Sequence, residues 1–240
     1  ELLHERGYDH PEYIKEILKC DEYLGNLVKF LKSEGYYDDT AIAVISDHGN
    51  YKAEKLYDLE PFFKSNGLIP YDPKKGKGDF DANFGSVGSF NFPGKSWQHH
   101  PTIEEMEKFE TSGNHKSINL FNVLWKIPGV KLMYYRDDNN SPERGKIYIN
   151  KKNSKTGELL TGIIEYKGFG SNLKTKYNSN DVDIFGYKNQ EKSNELLDGK
   201  FHDIDEWLSK TYEIDFPIII DQIPRFFKNS DVILNSLTPS

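Results

Sequence analysis

The sequence predicts an α/β protein: a mixed, mostly parallel sheet sandwiched by helices, with a small β-hairpin as an accessory element. Three observations predict it. A long helical stripe occupies residues 10–35, a continuously apolar run "AIAVIS" follows at 41–46, and strand-like and helix-like segments then alternate as far as "DVILNS" at 231–236. A run that is apolar on both strand faces suits a strand covered on both sides, as at the centre of a parallel sheet.

The helix is the best-specified element. Asp9 or His10 can cap it, Pro11 suits its first turn, and Glu12 complements the positive end of its dipole. Ile14, Ile17, Leu18, Leu24, Leu27, Val28 and Leu31 recur at helical spacing, and Gly35 offers a left-handed exit. Asp21 and Gly25 interrupt the stripe, which reads as a polar edge and a close helix contact. The run 41–46 is expected as a central parallel strand in the same sheet as "DVILNS". A second helix is expected at about 54–66, ended by Gly67, then a polar loop at 71–82 and an irregular strand in "NFGSVGSFNFPG". Helices are expected near 102–110 and 117–126. "GVKLMYYR", "GKIYINKK" and "LTGIIEYKG" read as strands, the last two joined as a hairpin at about 145–167 by "NSKTG". "FHDIDEWLSKTY" and "FPIIIDQIPRFF" read as helices, with Pro217 placed to start the second and Pro224 to kink or split it.

A chain of 240 residues with 36% hydrophobic content can bury a substantial core. The expected organisation is a single α/β domain over 1–240, itself a piece of a larger catalytic domain, because "ELLHERGYDHPEY" has neither an initiator Met nor a signal-peptide pattern. A net charge of −7 argues against a partner that is a nucleic-acid polymer or an anionic membrane. Cys20 is the one cysteine, so there is neither an internal disulfide nor a Cys-based zinc module; this is compatible with cytoplasm without establishing it. No apolar run approaches the roughly 20 residues of a membrane span.

The chemistry-bearing residues are Asp47 and His48, followed by Gly49, at the carboxyl end of the run 41–46. Open α/β sheets bind ligands at that end. A carboxylate and a neutral imidazole are both good ligands for zinc and similar ions, and a chain turning at Gly49 can aim both at one ion. The tripeptide alone fits equally a capped turn in which Asp47 accepts backbone N–H bonds. Of the other histidines, His99 and His100 in "SWQHHP" read as surface residues in a loop open to substrate recognition, His202 as a helix cap, and His115 and His10 as exposed.

The wider run "EYIKEILKCDEYLGNLVKFLKSEGYYDDTAIAVISDHG" resembles the alkaline phosphatase superfamily. Asp21 and Gly25 stand as its D-x-x-x-G, Leu31 and Gly35 as its L-x-x-x-G, Asp38 and Thr40 as its Asp-x-Thr turn, before a strand ending Ser-Asp-His-Gly. The type I phosphodiesterase/nucleotide pyrophosphatase branch is the most similar, extending to "WKIPGVKLMYYR", "LLDGKFHDIDEWLSKTYEIDFPIIIDQIPRFF" and "SDVILNS". The resemblance implies a two-metal site, usually zinc, acting on a small-molecule phosphodiester or nucleotide pyrophosphate. It assigns Asp47 and His48 to one ion and His4 to the other. The Thr or Ser nucleophile and the remaining ligands are expected outside these 240 residues, which would leave this chain alone inactive. A sulfatase or phosphomutase of the same superfamily, and a non-catalytic α/β binding protein, are the alternatives.

Overall fold

The computed structural model describes residues 6–45, 57–83, 87–153, 156–179, 183–214, 216–227 and 230–235. The chain divides into two compact units, residues 1–57 and 58–240.

In the first unit, helix α1 spans Pro11–Ser33. His10 is its N-cap, with Nδ1 accepting the Glu12 N–H at 3.3 Å. At the other end Gly35 takes φ +75°, which turns the chain so that the Tyr36 N–H donates to the Leu31 carbonyl at 2.9 Å. That closure needs a left-handed residue, and glycine adopts it without a Cβ penalty. No residue of α1 is buried. Ile14, Leu18 and Leu27 on its apolar stripe are 50%, 64% and 47% exposed. A Cβ on Gly25 would meet nothing within 4 Å, so among the described residues the expected close helix contact is not made.

Residues 41–45 correct the expectation of a central parallel strand: they form no strand, and Val44 and Ile45 are 78% and 88% exposed. A buried strand exists only where ladders pair its backbone and other elements cover its faces. Among the described residues of 1–57 there is no second strand to supply the ladder.

The second unit holds a seven-stranded sheet with the order β1-β2-β9-β5-β6-β7-β8. Its strands are β1 Asp81–Asn83, β2 Val87–Asn91, β5 Leu132–Arg136, β6 Arg144–Lys152, β7 Leu159–Lys167, β8 Lys174–Ser179 and β9 Val232–Asn235. Strands β3 (Phe109–Glu110) and β4 (Ser117–Ile118) pair separately. Every neighbouring pair in the large sheet is antiparallel, which corrects the mostly parallel sheet expected from the sequence. A continuous apolar run reports burial on both faces, and hairpins with interleaved strands achieve that without parallel crossovers.

The central strands show the two-sided burial directly. Leu132 and Tyr134 of β5 and Ile233 of β9 enter one core, while Met133 of β5 and Val232 and Leu234 of β9 enter the other. Helices α6 (Ile204–Thr211) and α7 (Ile219–Phe226) cover the first face through Trp207, Ile220 and Ile223. Helices α2 (Glu60–Ser65), α3 (Ile103–Glu107) and α4 (Leu120–Leu124) cover the second through Phe63, Met106, Leu120 and Leu124. A further short helix, α5, spans Glu191–Asn194.

The hairpin of residues 144–167 is integral to this sheet rather than accessory, with β6 paired to β5 and β7 paired to β8. Helix α2 begins at Glu60, later than the sequence suggested, because Pro61 is at home only in a first turn. Pro224 lies inside α7 without splitting it, and the residue before that helix, Ile218, sits at φ +50°.

Candidate functional site

The end of strand β2 and the approach to β9 build a site in the second unit. Phe90 pairs with Val232 across the β2–β9 ladder, and Asp231 continues it by donating its N–H to the Phe90 carbonyl at 2.9 Å. The Asp231 carboxylate then does what a further ladder residue would do: Oδ2 accepts the Phe92 N–H at 2.9 Å. Beyond Phe92 the chain loops out and returns. Gly94 donates to the His99 carbonyl at 3.0 Å, and His99 donates back to the Ser96 carbonyl at 3.0 Å. A Cβ on Gly94 would lie 2.8 Å from the His100 carbonyl and 2.9 Å from that of His99, so this return is open only to glycine.

The return delivers His100 to Asp231. Its Nδ1 lies 2.6 Å from Asp231 Oδ1, while the neighbouring His99 turns away and bonds Ser96 Oγ at 2.8 Å. The pair is asymmetric: Asp231 is 2% exposed, whereas the His100 side chain is 49% exposed. Burial pushes the Asp231 carboxyl up from its ordinary value, against the opposing pull of the Phe92 N–H, His100 and the Arg136 guanidinium. With Nδ1 committed to the carboxylate, the orientation of the imidazole is fixed and its outer nitrogen, Nε2, is left for another partner.

His100 borders a cavity of about 370 Å³. Tyr71 and Trp97 form one wall, with ring centroids 4.4 Å apart and planes tilted by 49°. Asp81 and Asn91, opposite one another on the β1–β2 ladder, and Gln98 add polar groups. Among the described residues, neither Lys nor Arg lines it. The arrangement can hold and hydrogen-bond a small polar ligand. Among the described residues, no group of three or more His, Cys, Asp or Glu side chains is placed to hold a metal ion.

The remaining described histidine of note is structural. His202 is 8% exposed, with Nε2 2.9 Å from Asp198 Oδ1, Nδ1 3.3 Å from Glu206 Oε1, and its ring edge-on to Trp207. Both nitrogens are spent on carboxylates. The Lys200 side chain first, and then His202, hold the Asp198 carboxyl below its ordinary range. His202 is not the helix cap expected from the sequence; Asp203 caps α6, in a reciprocal box with Glu206.

Asp47, His48 and His4, the residues to which the sequence assigns metal binding, lie outside the described residues. The structure brings His100 to a partner the sequence did not offer. Asp231 sits 131 residues further on, and the one local signal for it is an acid placed immediately before an apolar strand.

The family model described as type I phosphodiesterase / nucleotide pyrophosphatase matches residues 1–144. No curated protein and no solved structure matches the chain. Among the described residues, no helix is long and apolar enough to cross a membrane.

Proposed function

Because the chain belongs to the type I phosphodiesterase / nucleotide pyrophosphatase family, we propose that it takes part in metal-dependent hydrolysis of phosphodiester or nucleotide pyrophosphate bonds in small molecules. The observation that carries this reading is the extent of the match, which takes in His4, all of α1 and the Asp47-His48 pair. A carboxylate and two imidazoles are a donor set that suits zinc or a similar divalent ion. Asp47 and His48 would hold one ion and His4 would contribute to a second. When bound, two such ions supply charge that neutralises phosphate oxygens and lowers the pKa of a hydroxyl nucleophile.

The chain's own residues do the positioning. Asp47 holds its site only while ionised and His48 only while neutral, so activity falls as pH drops toward the imidazole's protonation. A Thr or Ser hydroxyl would attack phosphorus, displacing the alcohol or phosphate leaving group. Hydrolysis of the resulting phospho-ester by water would restore the hydroxyl.

The test uses the full-length protein with bis(4-nitrophenyl) phosphate as substrate and 4-nitrophenyl sulfate as comparator. The expected result is turnover of the phosphodiester that a chelator removes and zinc restores, with Asp47→Ala lowering it by at least about 100-fold. Turnover that survives both chelation and Asp47→Ala, or faster turnover of the sulfate, would overturn the assignment.

A further inference from the structure

The cavity beside His100 has a chemistry of its own, and it stands apart from the hydrolase reading. Its polar inventory is rich in acceptors. Asp81 presents a carboxylate, Asn91 and Gln98 present carboxamides, and His100 presents an imidazole whose Nδ1 is already committed to Asp231. With neither Lys nor Arg on its lining among the described residues, it offers no direct cationic partner for a phosphate or carboxylate. An anionic ligand is therefore disfavoured next to Asp81 and Asp231. No three-donor group for a metal is present among the described residues.

A ligand that fits donates many hydrogen bonds and carries a flat apolar face for the Tyr71–Trp97 wall; the charge of Asp231 is already spent on His100, which favours an uncharged donor over an organic cation, the competing class that the choline arm of the test resolves. Both of those rings are only partly buried, so they have surface to offer. Aromatic faces carry negative charge density and pair well with the weakly positive C–H edges of a saturated ring. A carboxylate accepts from adjacent hydroxyls, and a carboxamide both accepts from and donates to them.

We propose that this cavity is a binding site for a neutral, hydroxyl-rich ring of the pyranose sugar class, stacked on Trp97 and Tyr71 and hydrogen-bonded by Asp81, Asn91, Gln98 and His100. Asp231 acts as a positioning residue, because it fixes the His100 ring and through the Phe92 N–H anchors the start of the same loop. The loop is thereby held from both ends by one buried carboxylate, so the stacking wall is preorganised before a ligand arrives.

The experiment titrates the full chain with methyl α-glucopyranoside, methyl α-galactopyranoside, methyl α-mannopyranoside and N-acetylglucosamine. Binding is followed on the indole N–H resonance of Trp97, assigned by its loss in Trp97→Phe. At least one sugar should bind with Kd on the order of 1 mM, as expected for a small neutral ligand in a half-open site. Calorimetry should show that Trp97→Phe retains binding, Trp97→Ala weakens it by about 10-fold or more, and Asp81→Asn weakens it by about 10-fold. Should Trp97→Ala fail to fold, the Asp81→Asn result decides. No shift with any of the sugars up to about 20 mM, or binding indifferent to Asp81→Asn, overturns the proposal. So does choline or adenosine monophosphate binding at the Trp97 signal where the sugars do not. Because binding is read without turnover, its failure leaves the hydrolase assignment untouched.

Discussion

The two units use apolar residues in opposite ways. In residues 1–57, α1 carries a regular apolar stripe and buries none of it: Leu18 is 64% exposed. In residues 58–240, Leu132, Met133 and Tyr134 follow one another along β5 and all three are buried, on alternating sides of the sheet. The difference separates two kinds of information in a sequence. Helix formation and capping are set within a few residues of chain, so α1 forms with its caps whether or not its stripe is covered. Burial depends on elements brought from far away, and a stripe only records that a cover would be favourable.

The largest effect that can break this comparison is a matched pair of truncations. Leu132→Ala should lower the unfolding free energy by about 2–5 kcal/mol, since it opens a cavity in a fully packed core. Leu18→Ala should change it by less than about 0.5 kcal/mol. Denaturant unfolding of the two variants measures both, and a cost for Leu18→Ala near that of Leu132→Ala would show that the stripe on α1 is covered.

A smaller effect contrasts the caps. Asp203 closes a reciprocal box at the start of α6, whose Trp207 is buried, so Asp203→Ala should cost about 1 kcal/mol. His10 caps a helix with no buried residue through one 3.3 Å bond, and His10→Ala should cost only a few tenths of a kcal/mol by thermal unfolding.

The smallest effect is confined to alkaline pH and to the second unit. Tyr148 donates its hydroxyl to Asp137 Oδ2 at 2.7 Å, and that bond, followed by burial, pushes the Tyr148 phenol up to about 12. The neutral phenol is the form the fold favours. Its contribution is therefore complete below the ordinary tyrosine value near 10 and is lost as pH rises from there to about 12. Tyr148→Phe should flatten the stability-versus-pH curve in that window and delete one late-titrating phenol from the ultraviolet absorbance titration. An unchanged curve would show that the hydrogen bond has no energetic weight.

How much of this was legible in the sequence follows the same division. The start and end of α1 and the hairpin of β6 and β7 could be read because their determinants are local, whereas the cap of α6 reads from sequence as His202, one residue before the Asp203 that makes it. The run at 231–236 could be read as a buried strand, yet the similar run at 41–46 forms none over its described residues, 41–45. Both runs have the composition; only the first has β2 and β5 on either side of it. Strand β8 was missed because Lys174, Lys176 and Asn178 alternate with Thr175 and Tyr177, and only the latter two are buried. The His100–Asp231 pair was invisible for a related reason, since nothing near either residue announces the other. The family pattern at residues 4–48 was legible because it is a run of closely spaced residues.

The place of β9 in the sheet also dictates an order of assembly. Strands β5 to β8 are consecutive neighbours, so they can zip together as they leave the ribosome, each closing a short loop. Strands β1 and β2 form their own hairpin early but then wait, because the strand that joins them to the rest is Val232–Asn235. Until that segment emerges, β2 and β5 each present an open edge beside apolar side chains, a form prone to mispairing and a natural client for chaperones. A chain cut short before residue 232 would carry a two-stranded and a four-stranded segment with no strand to join them.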